Sequence, residues 1–226
     1  MQTINIEDYV NELIKRLRLK FADRLIYVGL QGSFRRGEAN ENSDIDIMVT
    51  LDRLSVADLD SYRDVIAGIP CFDRSCGFIS GQEELKHWQP YEICQLLHET
   101  KDYYGELRPL LPSFGKDDVR SYIGISIGNL YHMLCHGRIH AGPEQRAEAL
   151  LSLYKAVSYI LQNSYYLRSG EWIMTKAELL PLLHGLDREV LQMAMTMKSN
   201  SEYDAEKAYA ILFDWCRQFF HDKATE

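Results

Sequence analysis

Residues 29–52 read GLQGSFRRGEANENSDIDIMVTLD, and no other stretch constrains the fold as tightly. They begin inside the apolar run LIYVGL, which has the length of a buried strand, and end on a second such run, IDIMVTL. Strand alternation puts Asp44, Asp46 and Met48 on one face of the second run, and Ile45, Ile47 and Val49 on the other. A fold that buries both runs must therefore hold two carboxylates side by side, beside a loop rich in Gly, Arg, Asn and Ser.

Two carboxylates held close repel, and each resists ionisation unless a cation sits between them. A hard divalent ion such as Mg²⁺ removes that penalty, takes oxygen ligands and shares its shell with substrate phosphates. Asp44 and Asp46 thus read as metal ligands. Gly32 lets backbone N–H groups approach an anion, and Ser33 adds a hydroxyl donor with little bulk. Arg35 and Arg36 follow with guanidinium groups suited to phosphate, and Gly37 lets the loop turn. A polar hairpin whose acids merely cap a strand would need Gly-Ser, Arg-Gly and Asp-x-Asp to coincide by chance.

The rest of the chain divides in style. Residues 8–21 carry apolar side chains at helical spacing. SVADLDSYRDVIAGI is a helix with Ser55 as N-cap and Asp58 three residues on. DRSCGFIS is a third strand, GQEELKHW a short helix, and YEICQLLHET an apolar segment of either type. Two prolines and a glycine in ELRPLLPSFGKDD break the chain, so the expected domains are 1–112 and 113–226. Everything beyond is helical in period: 117–137, 143–169, then TKAELLPLLHG, DREVLQMAMTMKS and DAEKAYAILFDWCRQFF, with Thr175 as an N-cap and Gly137 and Gly170 as helix stops. The expected architecture is an α+β domain, a mixed sheet flanked by helices, followed by an all-α bundle.

Composition excludes some functions. Asp plus Glu number 33 against 25 Lys plus Arg, a net charge of −8, which lacks the positive footprint of a general nucleic-acid binder. Five irregularly spaced cysteines argue against a disulfide framework. The N-terminal segment is charged and amphipathic, and no apolar run has membrane-spanning length, so the expected setting is reducing and cytoplasmic. YHMLCHGRIH places His132 and His136 at i, i+4, a zinc-ligand spacing, with Cys135 and His140 nearby. With Gly137 expected to end that helix and no acid or second cysteine pair completing the set, they read as ordinary surface histidines.

The motif Gly32-Ser33-Phe34-Arg35-Arg36-Gly37, then Ser43-Asp44-Ile45-Asp46, resembles the signature of the nucleotidyltransferase superfamily that includes DNA polymerase beta and the small antibiotic nucleotidyltransferases. The later stretch AVSYILQNSYYLRSGEWIMTKAELLPLLHG is similar to the helical domain of streptomycin and spectinomycin adenylyltransferases. The resemblance implies an Mg²⁺-dependent enzyme that moves a nucleoside monophosphate, AMP from ATP, onto a small-molecule hydroxyl. An aminoglycoside- or lincosamide-like acceptor is the family expectation. Gly32 and Ser33 would hold the triphosphate, Asp44 and Asp46 the metal, and Lys176 would reach the triphosphate from the second domain. A lysine at a helix N-terminus opposes the macrodipole, and a phosphate partner would account for it. A homodimer is compatible with the sequence.

One departure stands out. The family carries a third acid on the strand after Asp-x-Asp, as metal ligand or general base. Here that position falls near Cys76 or Gly77. Asp73 and Glu99 are the candidates to replace it, with Glu92 a weaker one. The alternative function is a nucleotide-binding regulatory or antitoxin-type module, or a protein-modifying nucleotidyltransferase, with little or no small-molecule turnover.

Overall fold

Ile45–Leu51 forms strand β2 with both faces buried, in two chemically separate layers. Ile45, Ile47, Val49 and Leu51 join one cluster, while Met48 joins the other. The strict alternation of the sequence is thus the device that places one strand between two cores. The computed structural model describes residues 4–199 and 202–223. Contacts divide the chain into two units, Met1–Phe114 and Gly115–Glu226.

In the first unit β2 lies in a four-stranded mixed sheet of order β3-β2-β1-β4, with β1 at Leu25–Leu30, β3 at Ser75–Gly81 and β4 at Lys101–Tyr104. β1 runs antiparallel to β2 and β4, whereas β3 runs parallel to β2. Parallel pairing needs a crossover, and α3 (Val56–Ala67) supplies it. Ser55 starts α3 with a reciprocal capping box: its hydroxyl accepts from Asp58 N–H, and the Asp58 carboxylate accepts from Ser55 N–H. α1 (Ile6–Phe21) lays Val10, Leu13, Leu17 and Phe21 on one face of the sheet. On the other face Tyr27 and Met48 pack with Leu85, Leu107 and Leu110.

Three local readings are revised. Gly32–Arg36, expected as loop, is one helical turn, α2, closed by Gly37 in the left-handed conformation. The apolar segment of either type is helical over Pro90–Glu99 (α5), after the short α4 (Gln82–Lys86). The chain then turns at once into β4, a strand not anticipated because KDYY carries no apolar alternation.

The second unit is helical: α6 (Lys116–His140), α7 (Pro143–Ser169), the short α8 (Lys176–Leu179), α9 (Gly185–Lys198) and α10 (Ala205–Lys223). α6 packs on α7 and α10, and α9 on α7 and α10, which makes a four-helix bundle. Gly137 does not stop α6. The helix runs through it to His140 and ends at Ala141, whose N–H donates back to the Gly137 carbonyl. A single glycine raises the free energy of a helix interior by only about 1 kcal/mol relative to alanine, and Leu134 and Leu130, buried one and two turns earlier, hold the helix in place. Gly170 does end α7, in the left-handed conformation. Among the described residues no helix is long and apolar enough to cross a membrane.

Candidate active site

The site begins where β1 ends. Gln31 N–H donates to the Asp46 carbonyl at 2.8 Å, and the Gln31 carboxamide donates to the Thr100 hydroxyl at 2.9 Å. These bonds tie the entrance of α2 to β2 and to the start of β4. Gly32 follows with φ +68°, and a Cβ built there would lie 1.9 Å from Asp46 Oδ2. The backbone is thus pressed against the carboxylate, and both the angle and the space exclude a side chain. Gly32→Ala is expected to displace Asp46 and lower pyrophosphate release about 10²-fold, the scale of a misplaced reacting group. Unchanged turnover in a folded variant would mean that this approach is irrelevant to the chemistry.

Asp44 is exposed at the head of β2, and Asp46 is half-buried one pleat further on. Burial pushes the Asp46 carboxyl above its ordinary value, and Asp44 pushes the same way, while a hydrogen bond from the Cys76 thiol and the nearby Arg36 charge pull it back. Neither aspartate has an ion-pair partner among the described residues, and the Ser33 hydroxyl has no hydrogen-bond partner there. Arg35, next on α2, has a buried Nε with no acceptor. Two carboxylates without an ion-pair partner and a hydroxyl without a hydrogen-bond partner among the described residues, and an unsatisfied guanidinium nitrogen, share one strand–turn–strand unit.

Arg36 points elsewhere. Its Nη1 donates to Glu99 Oε2 at 2.6 Å and its Nε to Glu38 at 3.3 Å, with the Arg36 and Glu99 side chains 9% and 6% exposed. The structure thus brings two of the candidate residues together as a buried ion pair between α2 and the end of α5. Asp73 lies on an exposed one-turn helix, Phe72–Arg74, ahead of β3. The parallel register sets Cys76 directly beside Asp46 and Gly77 beside Ile47. The expected third-acid position is therefore a thiol, itself pushed up by burial and by Asp46. A Cβ at Gly77 would fall 2.0 Å from the Ile47 carbonyl, so no larger residue fits there.

Arg74 is a structural member of the site that sequence reading missed. It donates from Nε and Nη2 to the Ser43 carbonyl (3.0 and 2.6 Å) and from Nη2 to the Asn40 carbonyl, while its guanidinium stacks over Phe34 at 5.8 Å. It fixes the loop that delivers Asp44. Its distance from the motif hid it: only the pairing of β3 with β2 brings it there.

In the second unit Lys176 is the first residue of α8. Thr175 caps that helix, accepting from Glu178 N–H and giving its own N–H and hydroxyl to the Glu178 carboxylate. Gln162, buried in α7, donates to the Ile173 and Met174 carbonyls at 2.8 and 2.9 Å and so fixes the segment leading to Lys176.

Among the described residues no three His, Cys, Asp or Glu side chains converge on a metal position. A cation at Asp44 and Asp46 would take two protein carboxylates and complete its shell from water and phosphate, the usual habit of Mg²⁺. The donor set fits that ion.

Residues 10–101 match the family model described as nucleotidyltransferase domain. In fold the whole chain is similar to spectinomycin adenyltransferase AAD(9) from Enterococcus faecialis, solved with ATP and spectinomycin: TM-score 0.58, 16% identity, covering 94% of this chain and 100% of that one. A toxin–antitoxin structure with AMP-PNP aligns at TM-score 0.33 and 23% identity, covering 60% of this chain and 94% of that one. No relative is found among curated proteins.

Proposed function

Starting from residues 10–101, which match the nucleotidyltransferase domain model, we propose that this chain transfers AMP from ATP to a hydroxyl of a small molecule and releases pyrophosphate. The observation that carries the reading is the Asp44–Asp46 pair: on one face of β2, without an ion-pair partner among the described residues, and with the Asp46 carboxylate packed against the Gly32 backbone. The acceptor oxygen attacks the α-phosphorus, the bond to the β-phosphate oxygen breaks, its electron pair leaves with pyrophosphate, and the hydroxyl proton passes to solvent.

Asp44 and Asp46 would hold Mg²⁺, which when bound supplies positive charge to the attacked phosphate. The Gly32 backbone and Ser33 hydroxyl hold the triphosphate, and Arg35 adds charge. From the sequence resemblance we infer that Lys176 is a further contact to the triphosphate. Arg36 and Glu99 brace α2 against α5. An aminoglycoside- or lincosamide-like acceptor is the class we favour, supported by the likeness in fold to an adenyltransferase that extends over both units. The proposal places the enzyme in the cytoplasm.

The test is thermal melting with each of ATP, GTP, CTP and UTP, with and without Mg²⁺, since a ligand of the folded state raises the midpoint. ATP with Mg²⁺ is expected to raise it most, and no shift with any nucleotide would refute the reading. Lys176→Ala is expected to weaken ATP binding about 10–100-fold, the scale of one hydrogen-bonded charge on phosphate. Unchanged affinity would return Lys176 to the surface. Cys76 favours a second reading, a module that binds nucleotide without turnover, because a thiol stands where the resemblance expects an acid. Pyrophosphate release over an acceptor panel separates the two.

A further inference from the structure

α6 carries His132, His136 and His140 at successive i, i+4 positions, all three exposed. Had Gly137 ended the helix, only one such pair would exist. Because the helix continues, one imidazole follows another along a single face. The ring centroids of His132 and His136 are 6.0 Å apart, and those of His136 and His140 are 4.7 Å apart. None of the three rings hydrogen-bonds to another described residue, so their nitrogens are not committed elsewhere. Gly137 adds no bulk beside them: a Cβ there would meet nothing within 4 Å.

We propose that this ladder is an exchangeable binding site for a borderline divalent cation, Ni²⁺, Cu²⁺ or Zn²⁺, held by two imidazoles at a time with His136 common to both chelating pairs. Neutral imidazole is a good ligand for these ions and a poor one for Mg²⁺, which selects the oxygen donors of Asp44 and Asp46. Two rings spaced like His136 and His140 can each turn one nitrogen toward a common ion, with metal–nitrogen distances of about 2.0–2.1 Å. A closed structural site needs four ligands, and among the described residues no third side chain converges on the ladder. Water must complete the shell, which makes the site open and the ion exchangeable. The site is independent of the proposed nucleotidyl transfer and uses none of its residues.

The experiment is calorimetric titration of the untagged chain with Ni²⁺, in excess Mg²⁺ so that the carboxylate pair is masked. Wild type is expected to bind one equivalent. His136→Ala breaks both pairs and is expected to weaken binding at least about tenfold, because the second imidazole no longer acts at high effective concentration. His132→Ala retains the closer pair and is expected to stay within about threefold of wild type, while the His132→Ala/His140→Ala double variant is expected to match His136→Ala. All three positions are exposed, so the variants are expected to keep the wild-type circular dichroism. Wild-type affinity in His136→Ala, or equal binding by wild type and the variant lacking all three histidines, would overturn the proposal.

Discussion

Asp46→Asn is expected to reduce pyrophosphate release at least about 10³-fold, the upper range for losing one group that meets transition-state charge. The same variant is expected to melt no lower than wild type. The side chain is nearly isosteric, and among the described residues the aspartate it replaces has no ion pair to lose. Burial raises the Asp46 carboxyl, so the folded state holds that proton more tightly than the unfolded chain does. Such a group favours the fold at low pH and opposes it once ionised. Removing its charge therefore relieves the fold at neutral pH while removing half of the cation clamp. The joint result, lost turnover with retained or increased stability, separates a functional carboxylate from a structural one. Initial rates with saturating ATP and Mg²⁺, together with melting curves, give both values. An Asp46→Asn protein with wild-type turnover would refute the metal assignment.

Arg36→Ala is expected to have the opposite signature. It removes the guanidinium that pairs with Glu99, whose side chain is 6% exposed. Removing one partner of a buried pair destabilises by about 3–5 kcal/mol. Urea unfolding followed by fluorescence in a Trp172→Phe/Trp215→Phe background, which leaves Trp88 of the first unit as the reporter, reads that loss. Replacing both members with apolar residues, Arg36→Met with Glu99→Leu, is expected to recover most of the stability, as it does for buried pairs generally. Glu99 was also a candidate third acid. If it brings a base to the reaction, Glu99→Gln abolishes turnover in a stable protein. If it braces α2, Glu99→Gln lowers stability and keeps most of the turnover.

The sequence made the candidate site legible because its residues are local. Gly32, Ser33, Asp44 and Asp46 fall within one strand–turn–strand unit, and strand periodicity alone aligns the two aspartates. The two cores on either side of β2 were legible for the same reason: the face carrying Met48 and the face carrying Ile47 differ at every second residue. What stayed hidden depends on pairing between distant segments. Arg74 reaches Ser43 only because β3 pairs with β2, and Arg36 meets Glu99 only because α5 ends beside α2. β4 escaped because Lys101 and Asp102 lack apolar alternation, although Val28, Gly29 and Leu30 still pair with it. Gly137 misled because glycine's preference to end helices is weaker than the packing of α6. The sequence put the third-acid position near Cys76 or Gly77, and the strand pairing sets Cys76 beside Asp46.

The central claim is that Asp44 and Asp46 bind a divalent cation together with the phosphates of a nucleotide. Calorimetric titration of ATP into wild type and into the Asp44→Asn/Asp46→Asn double variant, each with Mg²⁺ and with a chelator, tests it most directly. Wild type should bind ATP more tightly with Mg²⁺, and the double variant should bind with one affinity in both conditions. A double variant that keeps the full Mg²⁺ enhancement would show that the cation sits elsewhere, and the account would fail.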